Sequence, residues 1–147
     1  MTIETRDFGK IDISEEGILT FELPILGFEE QKQFVILYDD ELGDALGWLQ
    51  SVDDKDVCFI IMDPHTAFDG YTPKVAPDIL AKLGLTSQAD AVFRSLVVVP
   101  AQTDIATVNL KSPLIINPAK KCAAQVVLEQ DYPVRAPLSN AGEGLSC

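Results

Sequence analysis

Few side chains in this sequence have the makings of a catalyst. His65 is the single histidine, and it follows Asp63-Pro64 where an apolar run gives way to a loop. A hydrolase built on it needs an activated serine or cysteine, and a metal site needs further ligands at set spacing. The cysteines do not supply them. Cys58 lies inside an apolar run, Cys122 opens another and Cys147 is the last residue, at spacings that match no zinc pattern. The nucleophile elbow, the zinc-protease and redox motifs and the phosphate-cradling glycine loops are all missing from the sequence. Asp53-Asp54-Lys55-Asp56 gathers carboxylates but lacks the alternating ligands and terminal glutamate of a calcium loop, so it reads as a solvated hairpin turn. Asp39-Asp40-Glu41, after the run ending at Tyr38, reads the same way. With 23 acidic residues some carboxylates must fall close together, so a glycosidase-like pair carries no information. The expectation is a chain with no catalytic residue, no metal and no cofactor.

The charge balance points elsewhere. Twenty-three acidic residues face 11 basic ones, for a net charge of -12. Such a surface repels a phosphate backbone, which argues against direct nucleic-acid binding, and it attracts and orients a basic protein. Solubility alone also explains an acidic surface. Met1–Arg6 shows no basic region followed by an apolar stretch, and the apolar runs are too short to cross a bilayer. A cytoplasmic, reducing location is therefore expected, with no membrane contact, and a monomer in the free state.

The elements that must position these residues are short strands. Ile11 and Ile13, and Phe21 and Leu23, alternate with polar residues. Residues 34–38, 57–62, 96–99, 114–116 and 125–128 are continuous apolar or near-apolar runs, and Val108 and Leu110 alternate with Thr107 and Asn109. Runs of this length, β-branched or aromatic and bounded by Gly, Pro, Asn or Asp, have strand character. About nine or ten such strands predict a mostly β, single-domain barrel-like or sandwich fold. One region differs. Pro77-Asp78-Ile79-Leu80-Ala81-Lys82-Leu83-Gly84 has Pro at a helix start, an apolar face and a Gly stop, and Ser87-Gln88-Ala89-Asp90 offers a weak capping box. One or two short helices are thus expected near 77–93, plugging or covering one barrel end. With 47% hydrophobic residues, a single core over residues 1–138 needs no staples. The Ser-, Asn- and Gly-containing tail 139–147 is expected to be disordered.

Thr107-Val108-Asn109-Leu110-Lys111-Ser112-Pro113-Leu114-Ile115-Ile116-Asn117 resembles the T-x-N-L-K-A-P-[ILV]-x-x-N signature of the bacterial flagellar assembly factor FliW family. Phe21 with Gly27-Phe28-Glu29 is similar to its early F…G-F-E segment, Leu49-Gln50-Ser51 to its L-Q-S, and Asp63-Pro64 with Tyr71 to its D-P…Y. Val99-Pro100 ends the strand before the long signature, and Gln125-Val126-Val127-Leu128, Tyr132, Arg135 and Leu138 resemble its closing segment. The ordered set spans residues 3–138. Pro24-Ile25-Leu26, Ser112 and Phe68-Asp69-Gly70 depart from the usual pattern and bear on loop contacts.

The resemblance implies partner switching. FliW-like proteins bind flagellin and, when free of it, bind CsrA, a translational repressor of flagellin mRNA, relieving repression allosterically. Asn109, Leu110, Lys111, Pro113 and Tyr71 are candidate partner-binding residues on the signature, and Asp53, Asp54 and Asp56 on the acidic turn. Two structural explanations compete with that role: Pro113 as an edge or kink, and Lys111 as half of a local ion pair. A small-molecule-binding barrel and a small hydrolase using His65 remain as other classes; the first requires an apolar cavity with convergent polar groups.

Overall fold

The structure is a computed structural model that describes residues 1–38, 46–99 and 106–138. Asp39-Asp40-Glu41, Pro100, Cys147 and the tail 139–147 lie outside the described residues. The strands are β1 (Thr2–Thr5), β2 (Gly9–Asp12), β3 (Ile18–Leu23), β4 (Gln33–Tyr38), β5 (Leu46–Ser51) and β6 (Cys58–Met62). Helix α1 (Pro77–Lys82) follows, then β7 (Val92–Val98), β8 (Thr107–Val108), β9 (Leu114–Asn117), β10 (Cys122–Gln125) and β11 (Ala136–Pro137).

β3 to β7 form an antiparallel meander, and β9 and β10 form a hairpin. The hairpin seals the sheet: β10 runs parallel to β3, and β9 pairs antiparallel with β7 through Val92–Ile116 and Arg94–Leu114. Closure into a seven-stranded barrel leaves no free edge along the wall. β8 and β11 extend β7 outward as a flap, and β1–β2 is a separate hairpin. The barrel form of the expected fold is the one observed.

Alternation along the strands explains the layering. Leu114, Ile116 and Ala123 point inward with Leu19, Phe21, Phe34, Leu49 and Ile61. Phe21 and Phe34 meet edge-on with ring centroids 5.2 Å apart. The intervening residues Phe93, Ile115, Cys122 and Ala124 point outward and are covered by Leu83, Leu85 and Val75, with Ile79 and Leu80 packed alongside. Helix α1 therefore covers the outer wall at β7, β9 and β10 and does not plug a barrel end, which corrects the expectation. The wall there is apolar, so a helix packs over it where it would not fit inside the packed lumen.

The helix itself is as its sequence dictates. Pro77 occupies the first turn and Asp78 complements the dipole. Gly84, at φ +71°, closes the end: its N–H donates to Ala81 O at 3.0 Å, and Leu85 N–H donates to Leu80 O at 2.8 Å. The second expected helix is a single 3-10 turn, Gln88–Asp90, capped by Ser87 Oγ on Ala89 N–H.

A candidate partner-binding surface

In an antiparallel meander, alternate connections emerge at the same end. The 24–32 connection (β3 to β4) and the 52–57 connection (β5 to β6) are therefore neighbours. Ser51 joins them. Its hydroxyl donates to Gln31 Oε1 at 2.6 Å and accepts the N–H groups of Asp53 and Asp54 at 3.2 and 3.1 Å. Gln50 Nε2 faces the carbonyls of Ser51, Asp54, Lys55 and Val57 at 3.1 to 3.4 Å, so one buried amide gathers the whole acidic turn. Asp54 Oδ1 accepts the Asp56 N–H at 3.0 Å.

The opposing connection is set by its own chemistry. Gly27 holds φ +88°, a left-handed conformation that favours glycine, and its N–H donates to Glu29 Oε1 at 3.2 Å. Ile25 is buried and closes this end of the barrel, while Phe28 stands edge-on to Phe59 at 4.9 Å. Leu26 is 61% exposed and Phe28 39% exposed. Glu29, Glu30, Asp53 and Asp56 are exposed around them and outnumber the exposed Lys55 of the same turn, and Asp54 is half-buried. An apolar centre thus sits within a carboxylate rim, which can receive a basic, partly apolar protein surface. Glu29, Glu30, Leu26 and Phe28 were not expected as partner residues. The meander rule was the available signal, since it places the G-F-E and L-Q-S segments at one end once both are read as strand ends.

The long signature builds a turn from the inside. Asn109 Oδ1 accepts the Ser112 N–H at 2.9 Å, and the Leu110 and Lys111 N–H groups both donate to Pro133 O at 3.1 Å. Tyr71 OH donates to Leu110 O at 2.7 Å, and its ring meets Tyr132 edge-on at 4.7 Å. Burial pushes the Tyr71 phenol well above its usual range. Tyr132, by contrast, is lowered by hydrogen bonding with Thr72, whose N–H donates to its oxygen at 3.0 Å. Leu110, Pro113 and Tyr71 are buried, and Asn109 and Lys111 half-buried. Lys111 Nζ donates to the Gln130 backbone oxygen at 2.7 Å, so its partner is a carbonyl and not the carboxylate of an ion pair. The structure brings Asp53, Asp54 and Asp56 together in one turn. It places Asn109, Leu110, Lys111, Pro113 and Tyr71 in a second, mostly interior cluster.

His65 does have a carboxylate beside it. Its Nδ1 is 3.2 Å from Asp63 Oδ1, and its ring packs near Tyr71 and Phe93. Asp63 Oδ1 also accepts the His65 N–H at 3.0 Å, which makes Asp63 the cap of the turn Pro64–Thr66. Among the described residues no serine or cysteine hydrogen-bonds the imidazole, whose partner is Asp63.

Known proteins resemble this chain along its length. The family model described as FliW protein matches residues 2–138. A flagellar assembly factor FliW of Lachnoclostridium phytofermentans is 38% identical over 147 residues, covering 95% of this chain and 94% of that protein. One of Syntrophus aciditrophicus is 40% identical over 136 residues, covering 92% of this chain and 85% of that protein. A crystal structure of the flagellar assembly factor FliW superposes with a TM-score of 0.84 at 32% identity, covering 94% of this chain and 96% of that one. Family model, full-length relative and superposed structure agree, and the chain belongs to the FliW family of flagellar assembly factors.

Proposed function

We propose that this protein is a cytoplasmic protein-binding regulator of flagellum assembly that binds flagellin and, when free of it, binds CsrA and relieves its repression of flagellin mRNA. The observation that best supports this reading is the acidic barrel end. There the G-F-E and L-Q-S segments meet around exposed Leu26 and Phe28. An RNA-binding repressor carries basic surface, and this rim is its electrostatic complement. Carboxylates held near the RNA phosphates disfavour RNA over about one Debye length, roughly 8 Å at physiological salt, without occupying the RNA site. By linkage, RNA and this protein then weaken each other's equilibrium binding to CsrA by the same factor.

Asp53, Asp54 and Asp56 are the proposed direct contacts, with Glu29 and Glu30 beside them. Asn109, Leu110, Lys111, Pro113 and Tyr71 act chiefly by holding the signature turn, and flagellin offers an amphipathic helix to an apolar part of the surface. Among the described residues no helix is long and apolar enough to cross a membrane. The deciding experiment is calorimetric titration with the CsrA of the same organism, repeated with flagellin already bound. Saturable CsrA binding that flagellin abolishes supports the switch. Absence of heat and of co-elution with either partner rejects it.

A further inference from the structure

The barrel's two ends differ. At the end opposite the 24–32 and 52–57 connections, an open cavity of about 330 Å³ lies among the start of β3, the end of β4, the start of β7 and the β9–β10 turn. Its walls are apolar, formed by Leu19, Val35, Ile36, Val92 and Ile116 with Tyr38 and Pro118 at the rim. The charged lining residues are both cations, Arg94 and Lys121, and among the described residues no carboxylate lines the cavity. In a chain of net charge -12 a described lining whose charged members are both cations stands apart, with the Asp63 carboxylate paired to Arg94 from outside the lining.

Both cations keep donor capacity that no described residue takes up. Arg94 lies opposite Leu114 in the β7–β9 register, on the face that carries Val92 and Leu96 inward. Its side chain is 13% exposed; Nη1 donates to Phe93 O at 2.7 Å and forms a long ion pair with Asp63 Oδ2 at 3.9 Å, while Nε is buried with no hydrogen-bond partner among the described residues. A buried guanidinium with an unsatisfied donor is costly unless something accepts from it. Lys121 is the single non-glycine residue with positive φ among the described residues, at +56°. Glycine or asparagine suits that turn position better, so a lysine there is held at a conformational cost. No described carboxylate pairs with it.

We propose that this cavity binds a small monocarboxylate with an apolar chain, such as a medium-chain fatty acid. The chain packs on Leu19, Val35, Val92 and Ile116, and the carboxylate accepts hydrogen bonds from Arg94 and pairs with Lys121. A cavity of this volume lies at the small end of ligand sites, and the charged groups in its described lining are of one sign. The site is remote from the acidic end, so its fate is independent of the partner-binding proposal.

The test is calorimetric titration of the whole protein with decanoate, with decylamine and decanol as controls of equal chain length. Saturable one-to-one binding of decanoate, with decylamine giving none, is expected. Arg94→Met should weaken decanoate about tenfold or more, the scale of a charge-assisted hydrogen bond. Lys121→Gly is the cleaner variant, because relief of the positive φ should hold or raise the melting temperature while decanoate affinity still falls severalfold. Decanoate that fails to saturate, decylamine that binds as well, or full affinity retained in Lys121→Gly overturns the proposal.

Discussion

Gln125 Oε1 accepts the Leu26 N–H at 2.7 Å across 99 residues of chain. The same amide donates through Nε2 to Ser112 O at 3.2 Å, so one side chain on β10 ties the connection after β3 to the signature turn before β9. The barrel closes where β10 lies parallel to β3, and this amide fixes that seam at the level where the acidic end begins.

Gln125→Ala should therefore leave the Leu26 N–H and the Ser112 carbonyl without their partners. The expected loss is about 1–3 kcal/mol of folding stability, and the 24–32 connection should loosen selectively. Denaturant titration measures the first. Amide exchange measures the second, as faster exchange at Leu26 than in β5. Uniform exchange across both segments would show that the amide does not secure this connection.

Tyr71 gives a pH dependence with a definite sign. Its folded phenol is raised above the ordinary value of 10.0, chiefly by burial. Near pH 10 the unfolded chain begins to lose the proton while the folded chain retains it. The contribution is complete below the unfolded value and is lost as pH rises through the folded one. Stability should fall above pH 10 by up to about 1.4 kcal/mol per pH unit from this group. Tyr71→Phe should flatten that alkaline slope and cost about 1 kcal/mol at neutral pH through the lost bond to Leu110 O. An unchanged slope in Tyr71→Phe would assign the alkaline loss to other groups.

The local sequence reported what local chemistry decides. Pro77 and Gly84 bounded the helix, and the β-branched runs at 57–62 and 114–116 became strands. It misled where tertiary packing decides. The run 125–128 looked like a strand, yet β10 is Cys122–Gln125, because Ala123 and Ala124 are small enough to lie between the packed lumen and Leu83. The acidic turn was visible as a charge run, but its closeness to Glu29 and Glu30 follows from strand order, which no single segment encodes. Leu110 and Tyr71 stood out as motif residues, and their burial became plain only with the hydrogen bond that joins them.

Gly84 offers a test of the helix stop. A Cβ there would lie 2.7 Å from Lys120 Cδ and would hold a left-handed φ that L side chains disfavour. Lys120 is a flexible chain that can swing aside, so most of the cost is conformational. Gly84→Ala should lose about 1–2 kcal/mol, and Lys120→Ala in the same background should recover little of it. Full recovery in the double variant would mean that the clash dominates.

The acidic end should govern speed of capture more than final affinity. Asp53→Asn, Asp54→Asn and Asp56→Asn preserve the turn, since the amide oxygen at position 54 can still accept the Asp56 N–H. The triple variant should slow CsrA association roughly three- to tenfold at low salt, with the gap closing as ionic strength rises. Flagellin association should change little if an amphipathic helix on apolar surface is what it offers. Adding Glu29→Gln and Glu30→Gln should deepen the CsrA defect, because the Ser51–Gln31 bond holds both connections in one field. Stopped-flow measurements across a salt series separate the cases. Equal slowing for both partners would make the rim a general attractor with no preference for CsrA. An association rate indifferent to salt in the unaltered protein would remove electrostatic steering altogether and leave Leu26 and Phe28 as the contacts to test.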